Sequence, residues 1–239
     1  MRHVLQGAIS LLFPTECAGC AAPLEGTGKL PVCPDCLNRL PRSQPPHCRR
    51  CALSLSGLGA GVVLCLSCRT SPPAFDRAVS PFLYTEPIRE LITALKYAQR
   101  ISLASFLGEA MAQTVRTQIG EVALTALVPV PLHPVRFRER SFNQAELLAD
   151  SLANHLGLPC LDRLLIRRRS TTAQTELPRQ QRLANVRDAF DLEPDAQPPS
   201  GAILLVDDVL TTGATVHACA ARLKKAGVPQ VYVVTAARG

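Results

Sequence analysis

The spacing of apolar positions divides the chain into a polar, heavily punctuated first third and a regularly patterned remainder. Ile203-Leu204-Leu205-Val206 is a short unbroken apolar run, as in a parallel strand buried on both faces. Asp207 and Asp208 leave that strand, residues 209–215 form a turn, and Val216, Ala220 and Leu223 place an apolar stripe on a helix ending near Gly227. Upstream, 78–84 has the pattern of a strand, and Pro87 opens a helix with Ile88, Leu91, Ile92 and Leu95 on one face. Leu103, Phe106, Leu107, Ala110 and Met111 mark the next helix. A second apolar run, 123–130, ends abruptly at Pro129-Val130-Pro131. Ser141 or Asn143 caps a helix whose face is Ala145, Leu148, Leu152 and Leu156 and which Gly157 closes, and 161–166 is expected to be a further strand. Strands alternating with helices predict an α/β fold, a mostly parallel sheet flanked by helices. Ligands of such sheets sit at the carboxyl ends of the strands, so the loops at 131–143 and 207–215 and the segment after Ile166 are expected to meet at one crevice.

The first third follows a different rule. Cys17-x-x-Cys20, Cys33-x-x-Cys36, Cys48-x-x-Cys51 and Cys65-x-x-Cys68 form an internal repeat of paired knuckles. Each knuckle presents two thiolates on one side, and two knuckles complete a tetrahedral site for a d10 ion such as zinc. The eight cysteines therefore predict two structural zinc sites, with neighbouring knuckles pairing in sequence order or interleaved. Disulfides fit a reducing cytosol poorly, and the uniform two-residue gap favours zinc over iron–sulfur clusters. A ribbon of this size has too little core to fold alone, so the metal would supply its folding energy. Arg39, Arg42, Arg49 and Arg50 offer it a nucleic-acid or partner contact beside that structural role. Cys160 and Cys219 lie outside the pattern and are expected to be plain buried thiols. Thr70-Ser71-Pro72-Pro73 marks the boundary between a module at 1–71 and an α/β domain at 72–239.

Composition changes this picture in two respects. The net charge is +7, and Lys29, Lys96, Lys224 and Lys225 are the only lysines among 26 basic residues. Arginine suits bidentate phosphate contact, so polyanions or nucleic acid become plausible partners, although a GC-rich coding sequence also favours arginine. No apolar stretch approaches the length of a membrane span. The run 4–13 behind Arg2 resembles a short signal peptide, but no small-x-small site follows and Glu16 precedes Cys17. It is expected to be a short amphipathic helix of a cytoplasmic protein.

The candidate chemistry centres on 203–227. Gly213 lets backbone approach a ligand, and the hydroxyls of Thr211, Thr212 and Thr215 point with the free amides of the helix start at the same spot, as a phosphate cradle requires. Asp207 and Asp208 would repel the phosphate, but they can accept hydrogen bonds from the hydroxyls of an attached sugar. The segment Leu204-Leu205-Val206-Asp207-Asp208-Val209-Leu210-Thr211-Thr212-Gly213-Ala214-Thr215 resembles the motif with which type I phosphoribosyltransferases bind phosphoribosyl pyrophosphate (PRPP). Further matches are Leu11-Leu12-Phe13-Pro14, Ala94-Leu95-Lys96-Tyr97, Pro129-Val130-Pro131-Leu132-His133-Pro134, Arg140-Ser141-Phe142-Asn143-Gln144, and Gln174 with Arg182 and Asn185. Over nearly its whole length the chain is similar to the competence protein F (ComF) family, a double zinc ribbon joined to a type I phosphoribosyltransferase-like domain.

That resemblance implies roles. Asp207 and Asp208 would hold the ribose hydroxyls, and Thr211, Thr212, Gly213, Ala214 and Thr215 the 5-phosphate. The loop with Pro131, His133, Arg136 and Arg140 would face pyrophosphate, with magnesium bridging its oxygens. Thr172, Gln174 and Arg182 would belong to a closing lid within 167–187. Ser141 departs from the glycine of many relatives. The resemblance further implies handling of incoming single-stranded DNA in natural transformation, with a DNA-uptake helicase or recombination mediator as partner. The alternatives are an active transferase with Asp207, Asp208, Arg136 and Arg140 as its catalytic set, or a PRPP-sensing regulator. Glutamine-dependent ammonia transfer is not expected, because the amino-terminal nucleophile domain of the related amidotransferases has no counterpart in this sequence. Phe137, Phe142 and Tyr97 are the aromatics available for base stacking.

Overall fold

The structure, a computed structural model, describes residues 16–24, 30–59, 61–98, 100–168 and 189–239. The expected helix at 4–13 and the lid residues beyond Arg168, with Thr172, Gln174 and Arg182, lie outside them. In chain order the described elements are α1 (Pro34–Asn38), α2 (Leu66–Thr70), β1 (Arg77–Val79), β2 (Phe82–Leu83), α3 (Ile88–Tyr97), α4 (Ser102–Ile119), β3 (Leu124–Pro129), α5 (Pro134–Arg140), α6 (Gln144–Leu156), β4 (Leu165–Arg167), β5 (Phe190–Leu192), β6 (Ala202–Leu210), α7 (Ala214–Lys225) and β7 (Val231–Arg238).

The apolar runs become the centre of a five-stranded sheet in the order β1-β7-β6-β3, with β2 also on β7 and every pairing parallel. Strand alternation sends Ile203, Leu205, Val231 and Val233 to one face, against Val216, Cys219 and Leu223 of α7. Leu204, Val206, Val234 and Ala236 face the other way, against α3, α4 and α6. Burial of each such aliphatic side chain contributes about 1.5–3 kcal/mol.

Four expectations are corrected. The strand expected at 78–84 is split at Ser80-Pro81, because a proline cannot donate to the ladder. β6 continues through the two acids to Leu210, since Val209 and Leu210 still pair with Ala237 and Arg238. The strand expected at 161–166 is confined to Leu165–Arg167 and pairs antiparallel with β5, off the main sheet. The loop 131–143 contains a helix: His133 Nδ1 caps the Val135 amide, Pro134 occupies the first turn, and Arg136 and Glu139 pair at 2.9 Å.

The two ribbons are built into opposite faces of the sheet. Cys17, Val32, Cys36 and Leu40 join the core under α3 and α4, whereas Cys48, Cys51, Leu55, Cys65 and Cys68 join the core under α7. Backbone bonds fasten them to the β1–β2 edge: Leu83 N–H donates to the Pro41 carbonyl at 2.7 Å and Ala78 N–H to that of Arg50 at 2.8 Å.

Candidate functional site

The cysteines gather in sequence order, Cys17, Cys20, Cys33 and Cys36 in one group and Cys48, Cys51, Cys65 and Cys68 in the other, with all sulfurs of a group within 4.8 Å of one another. Tetrathiolate zinc with bonds of about 2.3 Å spaces its sulfurs by about 3.8 Å. The Cys20–Cys33 and Cys51–Cys65 sulfur separations are both 3.7 Å, which matches that spacing, so the residues of each group suit the ion. The second knuckle of each ribbon starts a one-turn helix, with Cys33 and Cys65 at the N-cap in nearly the same extended conformation. Backbone amides point at the sulfurs, Cys33 N–H at Cys17 Sγ over 3.2 Å and Cys65 N–H at Cys48 Sγ over 3.3 Å. Burial pushes the Cys17 and Cys48 thiols up, but these amide bonds outweigh it and bring them down to about 6 and about 7. Cys219 is the buried thiol expected; Cys160 is half-buried, and burial followed by the charge of Asp150 pushes its thiol up to about 12.

The second constellation lies at the carboxyl end of β6. Asp207 and Asp208 are adjacent there, and the Asp208 amide donates to Asp207 Oδ1 at 2.8 Å. Lys96, the penultimate residue of α3, places Nζ 2.7 Å from Asp208 Oδ2, with the two side chains 19% and 8% exposed. Burial alone would lower the lysine pKa; Asp208 outweighs it and holds Lys96 above its ordinary value. Burial, followed by the neighbouring Asp208 charge, pushes Asp207 up to about 7 against the pull of the Asp208 amide, Lys96 and Arg167. Gly213, at φ 79°, turns the chain into α7, and Thr212 Oγ1 accepts from the Ala214 amide at 3.4 Å. The left-handed turn is one that a glycine adopts without strain.

Across from it, Val130 N–H donates to the Val206 carbonyl at 2.9 Å, which brings Pro131 beside the acids, and Asn143 Nδ2 returns to the Val130 carbonyl at 3.1 Å while its Oδ1 caps Ala145. Arg140 ends α5 with Nη2 on the Tyr97 hydroxyl at 2.9 Å, Nη1 on Gln144 Oε1 at 3.0 Å, and its guanidinium 4.8 Å from the Tyr97 ring centre. Ser141 follows in the left-handed region at φ 66°, a conformation that glycine takes freely. Arg167, expected at the start of a mobile lid, instead belongs to β4: it stacks on Phe190 at 5.4 Å and interacts with both Asp207 and Arg136. Arg168 is likewise fixed, on Asp191 at 3.0 Å. His133 lies within the field of Arg167, and burial followed by that charge lowers its pKa.

Two consecutive residues that the sequence pattern assigned no charge role, Lys96 and Tyr97, thus tie α3 to both loops of the crevice. The Ala94-Leu95-Lys96-Tyr97 match was the available signal. Of the ribbon arginines, Arg50 is spent on the Pro73 carbonyl, Arg42 on the Phe82 ring and Arg39 on the Cys36 sulfur. Arg49 faces an open cleft of about 970 Å³ at the opposite, amino edge of the sheet, with Arg77, Arg116 and Tyr232.

Residues 8–69 match the double zinc ribbon domain family and residues 143–239 the phosphoribosyl transferase domain family. Among solved structures, the chain is similar to an adenine phosphoribosyltransferase at 16% identity, covering 59% of this chain and 74% of that one with a TM-score of 0.38; the strand order and the sequence matches, rather than that overlap, carry the assignment. Fold and sites define a phosphoribosyltransferase-type α/β protein with two four-cysteine metal centres. The chain belongs to the competence protein F family. It is 34% identical to DNA utilization protein YhgH of Salmonella typhi over 93% of this chain and 96% of that protein, and 30% identical to Competence protein F of Haemophilus influenzae over 95% and 98%. Competence protein ComFC of Streptococcus pneumoniae is 28% identical over 87% of each chain.

Proposed function

We propose that this chain is a PRPP-binding, zinc-containing protein that serves the uptake or processing of single-stranded DNA, as the names Competence protein F and DNA utilization protein of its relatives suggest. The observation that carries the ligand is the pair Asp207 and Asp208 at the end of β6, beside the Gly213 helix start, with Lys96 on Asp208 and Arg167 in the field of Asp207. A plain phosphate site has no use for two acids, whereas a ribose 5-phosphate presents hydroxyls to them and its phosphate to Thr211, Thr212, Gly213, Ala214 and Thr215. Pyrophosphate on C1 would then meet Pro131, His133, Arg136 and Arg140, with Gln174 and Arg182 supplied by the segment after β4. Magnesium, carried on the pyrophosphate oxygens, would neutralise charge that these cations leave uncompensated.

PRPP with magnesium is expected to stabilise the protein against heat, by about 2.7 kcal/mol at a hundredfold excess over Kd. Asp207→Asn/Asp208→Asn should lose the effect, and a wild-type protein that PRPP does not stabilise would refute the ligand. Transfer is a separate reading: the C1–O bond to pyrophosphate breaks with its electron pair leaving on pyrophosphate, and an acceptor bonds to C1. Pyrophosphate release on offering nucleobases, ammonia or single-stranded DNA decides for it, and silence across that panel leaves a binder or PRPP sensor.

For DNA, the cleft with Arg49, Arg77 and Arg116 supports a backbone contact; of the two acids that line it, Asp76 is paired with Lys224 at 2.8 Å and the other is Glu121. Binding there should be indifferent to sequence and fall steeply with salt, and a flat salt dependence would count against it. Single-stranded DNA and a DNA-uptake helicase or recombination mediator require a cytoplasmic protein. Among the described residues no helix is long and apolar enough to cross a membrane. We divide the chain, on this reading, into a metal module at 1–71 and a ligand domain at 72–239.

A further inference from the structure

Arg238, the last residue of β7, is 8% exposed, and its side chain reaches two places that are remote in sequence. Nε donates to the Cys51 carbonyl at 2.8 Å, and Nη2 lies 3.9 Å from the Cys51 sulfur. Nη1 donates to the carbonyls of Leu210 and Thr211, each at 2.7 Å, and also touches an oxygen of Gly239. Leu210 ends β6, paired with Arg238 in the parallel register, and Thr211 is followed directly by Thr212-Gly213, where α7 begins. One guanidinium therefore grips a knuckle of the second ribbon and the base of the phosphate loop.

Charge gives that grip a reason. A guanidinium keeps its proton when buried, and the carbonyls of Cys51, Leu210 and Thr211 give it hydrogen bonds but only partial counter-charge. A zinc ion held by four thiolates carries two more negative charges than positive. Filled, the site of Cys48, Cys51, Cys65 and Cys68 is thus a buried dianion in contact with Arg238. The first site has an arginine of its own, Arg39, with Nη2 3.7 Å from Cys36 Sγ, but that residue lies on the surface, where water screens the pair.

We infer that Arg238 is a positioning residue that couples the second metal centre to the phosphate loop: the metal–thiolate group anchors the guanidinium, and the guanidinium fixes the carbonyls from which the loop starts. The ligand half of this inference rests on the PRPP reading above. Coupling is reciprocal, so an anion held by the loop is felt at the second metal and not at the first. Arg238→Lys keeps the charge but replaces a planar fork by a point donor that cannot serve Cys51, Leu210 and Thr211 together.

The test uses the full chain with both sites filled by NMR-active cadmium, one resonance for each site. Without ligand, Arg238→Lys should move the second-site resonance, leave the first in place, and speed hydrogen exchange at the amides of 211–215. PRPP with magnesium should move the same resonance in the wild type, and its affinity should fall roughly tenfold in Arg238→Lys, within the usual range of coupling. A second-site resonance that stays still in both arms, with loop exchange unchanged, overturns the coupling. If PRPP, pyrophosphate and inorganic phosphate all fail to bind the wild type, the ligand reading has failed and the ligand-free arm alone decides about Arg238. Should the lysine variant not fold, the ligand-induced shift in the wild type becomes the deciding measurement: its presence supports the coupling and its absence on saturation overturns it.

Discussion

Asp207 makes the ligand reading quantitative. Its carboxyl, pushed up to about 7 by burial and by Asp208, is half protonated near neutrality in the free protein. A protonated acid has one oxygen less to offer to sugar hydroxyls, so PRPP is expected to select the ionised form. The ionised fraction is about nine-tenths at pH 8 and about one-tenth at pH 6, and affinity should therefore fall close to tenfold, ~1.4 kcal/mol, over that interval. Near pH 7 binding should release about half a proton, visible in calorimetry as a heat that changes with the ionisation enthalpy of the buffer. The ligand's own phosphate titrates near pH ~6, so Asp207→Asn is the control: it keeps the ligand's contribution and loses the protein's. The sign for folding is opposite. A carboxyl whose folded pKa is raised adds stability that is complete below its unfolded value near ~4 and is lost as pH rises through about 7. The ligand-free protein should lose stability over that window, and PRPP should restore it. An Asp207→Asn variant with the same pH slope as the wild type would refute the reasoning.

Lys96→Met should destabilise the protein by about 3 kcal/mol, because it leaves Asp208 buried without its partner, and Lys96→Met/Asp208→Asn should recover most of that in a denaturant titration; a double variant as weak as the single one counts against the pair. Metal analysis should find two ions per chain. A chelator should take the first ribbon's ion early, through exposed Cys20, and the second only as the whole fold opens, because all four of its cysteines are buried; simultaneous loss from intact protein would contradict this. Ser141→Gly should raise stability by about 0.5–1 kcal/mol through relief of its left-handed backbone, and a loss would show that the serine side chain has a role of its own. Asn143→Ala should cost about 1–2 kcal/mol in thermal unfolding, since one side chain both caps α6 and holds Val130; an unchanged melting temperature would mean the cap is dispensable.

Local rules account for what could be read along the chain. The apolar run at 203–206 had to be a buried parallel strand, since it has no polar face. The knuckle spacing had to give four-sulfur sites, and Asn143 and Gly157 bounded α6 as their side-chain and backbone preferences dictate. Errors fell where neighbours in space overrule neighbours in sequence. Pairing with Ala237 and Arg238 carried β6 past its acids, and β4 pairs with β5, a strand remote in sequence, rather than with the main sheet.

The amino-acid sequence by itself determined the kinds of element, the metal chemistry and the acid-glycine loop, because each depends on residues close together in the chain. Tertiary structure alone decided that Lys96 neutralises Asp208, that Tyr97 orients Arg140, and that Arg238 joins the Cys51 knuckle to Thr211, 27 residues away on one side and 187 on the other. No local pattern encodes those contacts. Those of Lys96 and Arg238 exist because the packing of α3 on the sheet, the pairing of β6 with β7 and the docking of the second ribbon bring distant charges into buried surroundings, where an unpaired charge costs too much to leave.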